Sequence, residues 1–336
     1  MNKLDKSNRY ESINGLRAIA CLGIVLMHVK ANITYSLSNS TIIGIISNFT
    51  NFVFLFMVIS SFGMCCGYFN KIANNEISPE KFYSKRIKKI LPFFMFLILL
   101  DLIIEHNIPA IIEGFANSTL LFGLLQKNIE VIGVAWYLGL TFIFYLMFPY
   151  FTYLFSNKKR AWLTTIMAVL MNLSCIYYFD VGRTNMFYSF IFFCIGGLLF
   201  LYKENIIKFY KTKRILGLIF VITSAIFFFT IPARNIYILP YSSILLAISL
   251  LCYGISYDSK LLNNKVTTFL GNISFEIYLC HMVIFRIIDK MNLVHIFNNN
   301  WCSYICTTTM VIIGSVILSV LFKKICMVIE KKVLKI

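Results

Sequence analysis

Long apolar runs recur along the chain, separated by short polar intervals. They fall at 13–30, 41–69, 90–105, 133–155, 161–179, 186–202, 214–231, 238–256, 267–288 and 303–328. About 17–25 apolar residues suffice for one helical crossing of a bilayer, so the pattern predicts an all-α, polytopic membrane protein with about ten transmembrane helices. A shorter apolar piece at 116–126 falls below that length and is expected to be a re-entrant or interfacial segment. The first run is too long and too centrally charged for a cleaved signal peptide, and no small-residue cleavage pattern follows His28, so it reads as a retained span. The intervals leave no room for a soluble domain, and a single integral-membrane domain over 1–336 is expected.

Composition supports the bilayer as solvent. The chain is 59% hydrophobic, 16% aromatic and 13% charged over 336 residues, more apolar surface than one water-soluble core can hide. Its net charge of +17 resembles a nucleic-acid footprint until its distribution is read. Of the 31 Lys and Arg residues, the N-terminal tail, 70–90, 157–160, 203–214, 257–267 and the C-terminal end hold all but seven. Those seven are Lys127, Arg183, Arg234 and Lys290 in the opposite set of loops, Lys30 at a border, and Arg17 and Arg286 within spans. The positive-inside rule then places both termini in the cytoplasm of a multi-pass cell-membrane protein, with an even number of crossings and no nucleic-acid partner. The ten cysteines are scattered, mostly within spans, without metal-ligand spacing; they read as packing residues, and no metal is expected. Cys302 and Cys306, near an outer boundary, could pair, though nothing demands it.

Ionisable side chains at membrane depth each need a reason, because one at mid-span costs about 2.5–3.5 kcal/mol on insertion scales. Read alone, Arg17 can snorkel to the cytoplasmic headgroups and His28 can be an interfacial histidine. Read together they share a helix face: eleven positions at about 100° each bring His28 back over Arg17, about 16 Å along the axis, with Cys21 and Ile24 between. One face thus offers a permanent cation towards the cytoplasm and a titratable base towards the exterior. That suits a ligand anchored by its charge that presents a reactive end deeper in the membrane.

The segment "NGLRAIACLGIVLMH" around this pair resembles the opening D-G-L-R-A-[IV]-A…H motif of the integral-membrane acyltransferase family 3, with Asn14 in place of Asp but still able to cap a helix. Four further segments match in order. "FLFMVISSFGM" is similar to F-F-V-[LI]-S-G-F, with Ser60 kept and Ser61 where Gly is usual. "KRIKKILP" resembles R-R-x-x-R-I-x-P through Lys85, Arg86, Lys89, Ile90 and Pro92. "WYLGLTFIFYLMFP" follows W-x-L…Y-L-x-x-P through Trp136, Leu138, Tyr145, Leu146 and Pro149, with Thr141 and Phe142 where many members carry a Glu pair. "GNISFEIYLCH" is similar to G-x-[IV]-S-[YF]-x-[IL]-Y-L-x-H, ending at His281. The five segments extend from residue 14 to residue 281.

The resemblance implies an O-acyltransferase that takes an acyl group, usually acetyl, from cytoplasmic acyl-CoA. The acceptor would be a hydroxyl of a cell-surface or secreted polysaccharide, or of its lipid-linked precursor. Acyl-CoA is then a substrate, and no bound cofactor is expected. His28 takes the place of the family's first-span histidine as the catalytic residue, either deprotonating the hydroxyl or carrying the acyl group. Arg17 becomes a donor-binding candidate towards CoA phosphates or pantetheine carbonyls. Arg86 and Lys89 are further candidates, in a basic run that also reads as a positive-inside anchor on anionic lipid. Ser60, Trp136, Tyr278 and His281 are cavity-lining candidates; Ser274, Tyr278 and His281 share a face, while Trp136 also fits an interfacial aromatic belt.

Glu105, one turn from Asp101 and at about the depth of His28, is the candidate orienter of the imidazole. Glu276 is buried by position and requires a neutralising partner or its proton. Lys127, Arg183 and Arg234 either meet an acidic glycan or are stray loop charges. Membrane lipids are further partners, and a homodimer is left open. The rival reading is a secondary transporter or glycan exporter without acyl transfer. It predicts paired halves with Gly- or Pro-broken spans, and the six prolines lie mostly at or near span ends instead. An inactive relative serving as an acyl carrier or assembly partner is a third reading.

Overall fold

A computed structural model describes residues 10–104, 107–125, 132–232, 235–257 and 259–333. The described residues are all-helical, in the order α1 (Ser12–Asn32), α2 (Ser40–Asn48), α3 (Phe52–Ala73), α4 (Pro79–Ile104), α5 (Ile108–Ser118), α6 (Trp136–Phe155) and α7 (Lys158–Tyr177). Then follow α8 (Met186–Leu201), α9 (Lys203–Thr212), α10 (Arg214–Thr230), α11 (Leu239–Ser256), α12 (Lys265–Asn272), α13 (Ser274–Lys290) and α14 (Asn300–Val333). Asparagine starts many of them. The side chains of Asn39, Asn107, Asn157, Asn185 and Asn264 each accept from a backbone N–H of the first helical turn. Such a cap satisfies a donor that the helix itself leaves orphaned. Asn14 is not among these caps: it lies inside α1, which starts at Ser12 behind Glu11 without a side-chain cap.

Six of the described helical stretches are long and apolar enough to cross a membrane: α1, the stretch Ser40–Ala73, α6, α7, α11 and the Asn300–Met327 part of α14. Two bent pairs raise this to eight if each is one crossing: α8 with α9, bent by 70°, and α12 with α13, bent by 71°. The other two runs, 90–105 and 214–231, form the second half of α4 and α10. α10 has only 17 residues, and α4 carries Lys88 and Lys89 just ahead of its apolar half and Asp101 within it. Among the described residues, six to eight stretches thus qualify as crossings by length and composition, against the ten expected from the pattern.

The outer helices carry uninterrupted apolar stripes. Ile313, Ile317, Leu321 and Ile325 on α14, and Leu163, Met167 and Leu170 on α7, are exposed at helical spacing. Such stripes would be an aggregation surface in water and are an ordinary lipid-facing surface in a bilayer. α1 is central instead, packed against α2, α3, α11, α12, α13 and α14.

The 116–126 piece is split between two elements. α5 folds back along α4, with Gly114 against Ile98 and Leu102, and a 3-10 turn at Phe122–Leu124 follows. Phe122 stacks on Phe94 with centroids 5.9 Å apart, and Gly123 packs onto the backbone of Gly139 in α6. Two ion pairs, each on a buried carboxylate, then tie the bundle across helices. Arg286 of α13 meets Asp101 of α4 at 2.6 Å, and Lys323 of α14 meets Glu276 of α13 at 2.9 Å. The second of these supplies the partner that burial of Glu276 requires.

The start of α1 docks where α12 breaks into α13. A Cβ on Gly15 would overlap the Leu262 carbonyl, and one on Gly271 would overlap the Asn14 carbonyl. Two of the quoted segments therefore meet where Gly271 packs on the Asn14 backbone, just before Ile273 interrupts the helix.

Candidate functional site

One face of α1 builds the site. The Cys21 thiol donates to the Ser274 carbonyl of α13 at 3.3 Å. About two turns further on, the His28 imidazole meets that of His281, also on α13, with ring centroids 5.1 Å apart. Towards the other end, Arg17 enters a cavity of about 590 Å³ at the Lys- and Arg-rich end of the bundle. The absence of a side chain at Gly63 on α3 makes room for it: the Arg17 Nη2 lies 3.0 Å from where a Cβ would be. Arg17, Cys21 and His28 thus contact three successive levels of neighbouring structure, as their shared face requires.

Among the expected site residues, Arg17, Ser60, Lys89 and Tyr278 line this cavity. It is also walled by Lys71, Tyr137, Thr141, Tyr145 and Glu276. The basic end therefore presents Arg17, Lys71 and Lys89 to one space, against Glu76 at the same wall, while Glu276 is engaged by Lys323. Three cations on a partly desolvated wall attract an anion more strongly than they would in bulk water. Arg86 is placed elsewhere. Its Nη2 donates to the Tyr68 hydroxyl at 2.6 Å, Nη1 contacts the Met64 sulfur at 3.4 Å, and the guanidinium lies over Tyr68 at 4.5 Å. Motif spacing fixed its helix but not the side to which it turns, and here it joins α3 to α4 rather than lining the cavity.

The inner end of the cavity is aromatic. Phe56, Tyr137 and Tyr278 meet there, with Tyr137 and Tyr278 edge-on at 5.4 Å. The Tyr278 hydroxyl donates to the Val134 carbonyl at 2.9 Å, and Tyr137 is hydrogen-bonded to Ser60 and Thr141. Behind Tyr278, with centroids 5.9 Å apart, stands His281, which is fully buried and lines no cavity itself. Its Nδ1 lies 2.6 Å from the Tyr278 carbonyl, which can only accept, so Nδ1 carries the proton. The Nε2 of His281 is then an acceptor, and it is buried without a hydrogen-bond partner among the described residues. His28, half-buried, is its imidazole neighbour.

Trp136 does not line the cavity either. The guanidinium of Arg183, from the α7–α8 connection, lies over its ring at 5.3 Å. Arg183 also donates to the Thr50 hydroxyl at 2.9 Å and acts electrostatically on His28. The sequence left Arg183 either to meet an acidic glycan or as a stray loop charge; its only signal was that it is one of few cations at the far end of the bundle. Glu105, the expected orienter, lies outside the described residues, as do Lys127 and Arg234. Its neighbour Asp101 is committed to Arg286.

Cys302 and Cys306 form no disulfide. Among the described residues no group of three His, Cys, Asp or Glu side chains comes together as a metal site. The arrangement is a cationic cavity at one end, an aromatic partition, and an imidazole pair beyond it. Chemically it can hold a long anionic ligand by its charged end and offer a base to whatever reaches the far side of the partition.

A family model described as an acyltransferase domain matches residues 10–320. No curated protein and no solved structure matches the chain.

Proposed function

Because the chain belongs to acyltransferase family 3, and is thus an acyltransferase moving groups other than amino-acyl groups, we propose that it acylates a glycan from cytoplasmic acyl-CoA. The acyl group is acetyl, and the acceptor is a hydroxyl of a cell-surface or secreted polysaccharide or of its lipid-linked precursor. The protein is multi-pass, and we place it in the cell membrane with both termini, and therefore the cationic end, in the cytoplasm.

Donor phosphates are held by Arg17 and Lys89, with Lys71 nearer the surface. Arg17 offers a planar fork to phosphate or carbonyl oxygens and Lys89 a point charge. The pantetheine arm runs inward along α1, over the roughly 16 Å that eleven helical residues span. Its thioester reaches the aromatic partition, and Tyr278 turns aside to admit it to the imidazole pair. His28 takes the proton of the acceptor hydroxyl, whose oxygen attacks the thioester carbonyl. The new C–O bond forms, the C–S bond breaks, and the departing thiolate recovers the proton from the imidazolium. His281, with Nδ1–H fixed on the Tyr278 carbonyl, positions His28 by its ring contact.

The observation that carries this reading is the placement of Arg17 and His28 on one helix face, the first in the cationic cavity and the second behind its aromatic end. Membrane vesicles test it. Labelled acetyl-CoA supplied to inside-out vesicles from cells making the protein and its glycan is expected to label the glycan, and right-side-out vesicles are expected not to. No label in either, or equal label in both, overturns it.

A further inference from the structure

A second cavity, of about 380 Å³, lies at the far end of the bundle, where the start of α3 meets the α7–α8 connection and the start of α11. Asp180 and Gly182 are exposed at its rim, and Phe54 and Tyr188 are buried inside it, stacked on one another at 6.3 Å. Thr50 and Arg183 complete the wall. Arg183 links this space to the imidazole pair, because the same guanidinium is held by Thr50, covers Trp136 and acts on His28. The two cavities lie towards opposite ends of α3: Tyr278, at the first, adjoins His281, and Arg183, at the second, acts on His28.

The volume falls within the range of about 300–1,000 Å³ that small-ligand sites occupy. Its walls select the ligand class. Only Nη1 of Arg183 is bonded to Thr50, so the guanidinium keeps further N–H donors for a polar occupant, while a polyanion would meet Asp180 at the rim. A neutral sugar ring meets both demands, since its C–H face packs on aromatic carbon while its hydroxyls reach the carboxylate and the guanidinium.

We propose that this second cavity is the acceptor subsite, which takes a neutral sugar ring of the glycan against Phe54 and Tyr188 and directs one of its hydroxyls past Arg183 to His28. The assignment rests on the acyl-transfer reading above. It gives the two substrates separate entrances, so that the acceptor hydroxyl and the CoA thiol need not pass through the same opening.

Two glycines make the test. A Cβ at Gly182 meets nothing within 4 Å, and the same holds at Gly67 in the donor cavity. Gly182→Trp fills the second cavity and Gly67→Trp the first. With labelled acetyl-CoA and purified protein, Gly182→Trp is expected to retain donor within about twofold of wild type while glycan labelling in membranes falls at least about tenfold. Gly67→Trp is expected to lose donor retention. Glycan labelling at the wild-type rate in Gly182→Trp overturns the proposal, and a wild-type chain that neither retains donor nor labels glycan overturns the acyl-transfer reading beneath it.

A second variant guards against misfolding. Ile236, half-exposed on the same cavity, is changed to Cys in a Cys302→Ser background, and intact cells are treated with a bulky membrane-impermeant maleimide. The untreated protein is its own folded control. Treatment is expected to cut glycan labelling at least about tenfold; Ile236→Cys protein that is modified yet transfers undiminished, or that the reagent cannot reach, contradicts the subsite.

Discussion

The imidazoles of His28 and His281 lie with ring centroids 5.1 Å apart, one from the first helix and the other from the thirteenth. His281 holds its own proton on the Tyr278 carbonyl, so its contact with His28 fixes a ring orientation rather than supplying a charge. His281→Gln is therefore expected to lower kcat for glycan acylation by about tenfold, with the KM for acyl-CoA unchanged, as losses of positioning neighbours do. A rise in KM without change in kcat would place His281 in donor binding instead.

Arg17 and Arg86 come from quoted segments of similar weight, but only Arg17 lines the cavity. A hydrogen bond to a charged group contributes about 1.5–3 kcal/mol, so Arg17→Ala is expected to weaken acyl-CoA binding by about 10- to 150-fold, measured by retention of labelled donor. Arg86→Ala is expected to leave donor retention nearly unchanged and to lower the melting temperature in detergent, since its partners are Tyr68 and Met64. The reverse pattern would return Arg86 to the donor site.

Gly15 of α1 and Gly63 of the neighbouring α3 have different expected outcomes. Gly15→Ala puts a methyl group into the Leu262 carbonyl, backbone that cannot move cheaply, and should lower the amount of folded protein in the membrane. Gly63→Ala meets only the Nη2 end of the Arg17 side chain, at 3.0 Å. It should accumulate normally while the KM for acyl-CoA rises several-fold. Quantitative membrane blots beside donor titrations separate the two.

Asp101 is almost fully buried against Arg286. Removing one partner of a buried pair costs about 3–5 kcal/mol, whereas replacing both by apolar residues is often neutral or better. Arg286→Leu alone, which strands the buried Asp101 carboxylate, should reduce thermal stability in detergent, and Asp101→Leu with Arg286→Leu should recover most of it. Equal melting of the single variant and wild type would show the pair to be incidental.

Local periodicity made the face of α1 legible, because Arg17, Cys21 and His28 depend only on helical geometry. The cost of a buried carboxylate likewise announced that Glu276 needed a partner, but nothing local could name Lys323, which arrives from α14. Side-chain direction within a motif was not legible either. Arg86 and Lys89 are three residues apart, yet the first turns to Tyr68 and the second to the cavity. The break at Ile273 was read as continuous span because the apolar run is uninterrupted; the close approach of Asn14 to Gly271 is a tertiary fact. Arg183 was hidden for the same reason, since its significance lies in Thr50, Trp136 and His28, all distant in the chain.

The claim that Arg17 and His28 are the donor end and the reaction end of one path is tested most directly by single-turnover transfer in His28→Ala. Protein loaded with labelled acetyl-CoA is mixed with glycan, at membrane abundance equal to wild type. Loading within about twofold of wild type, and transfer slower by about 10²–10⁴-fold, is the expected result for loss of a general base. Transfer at the wild-type rate would contradict it.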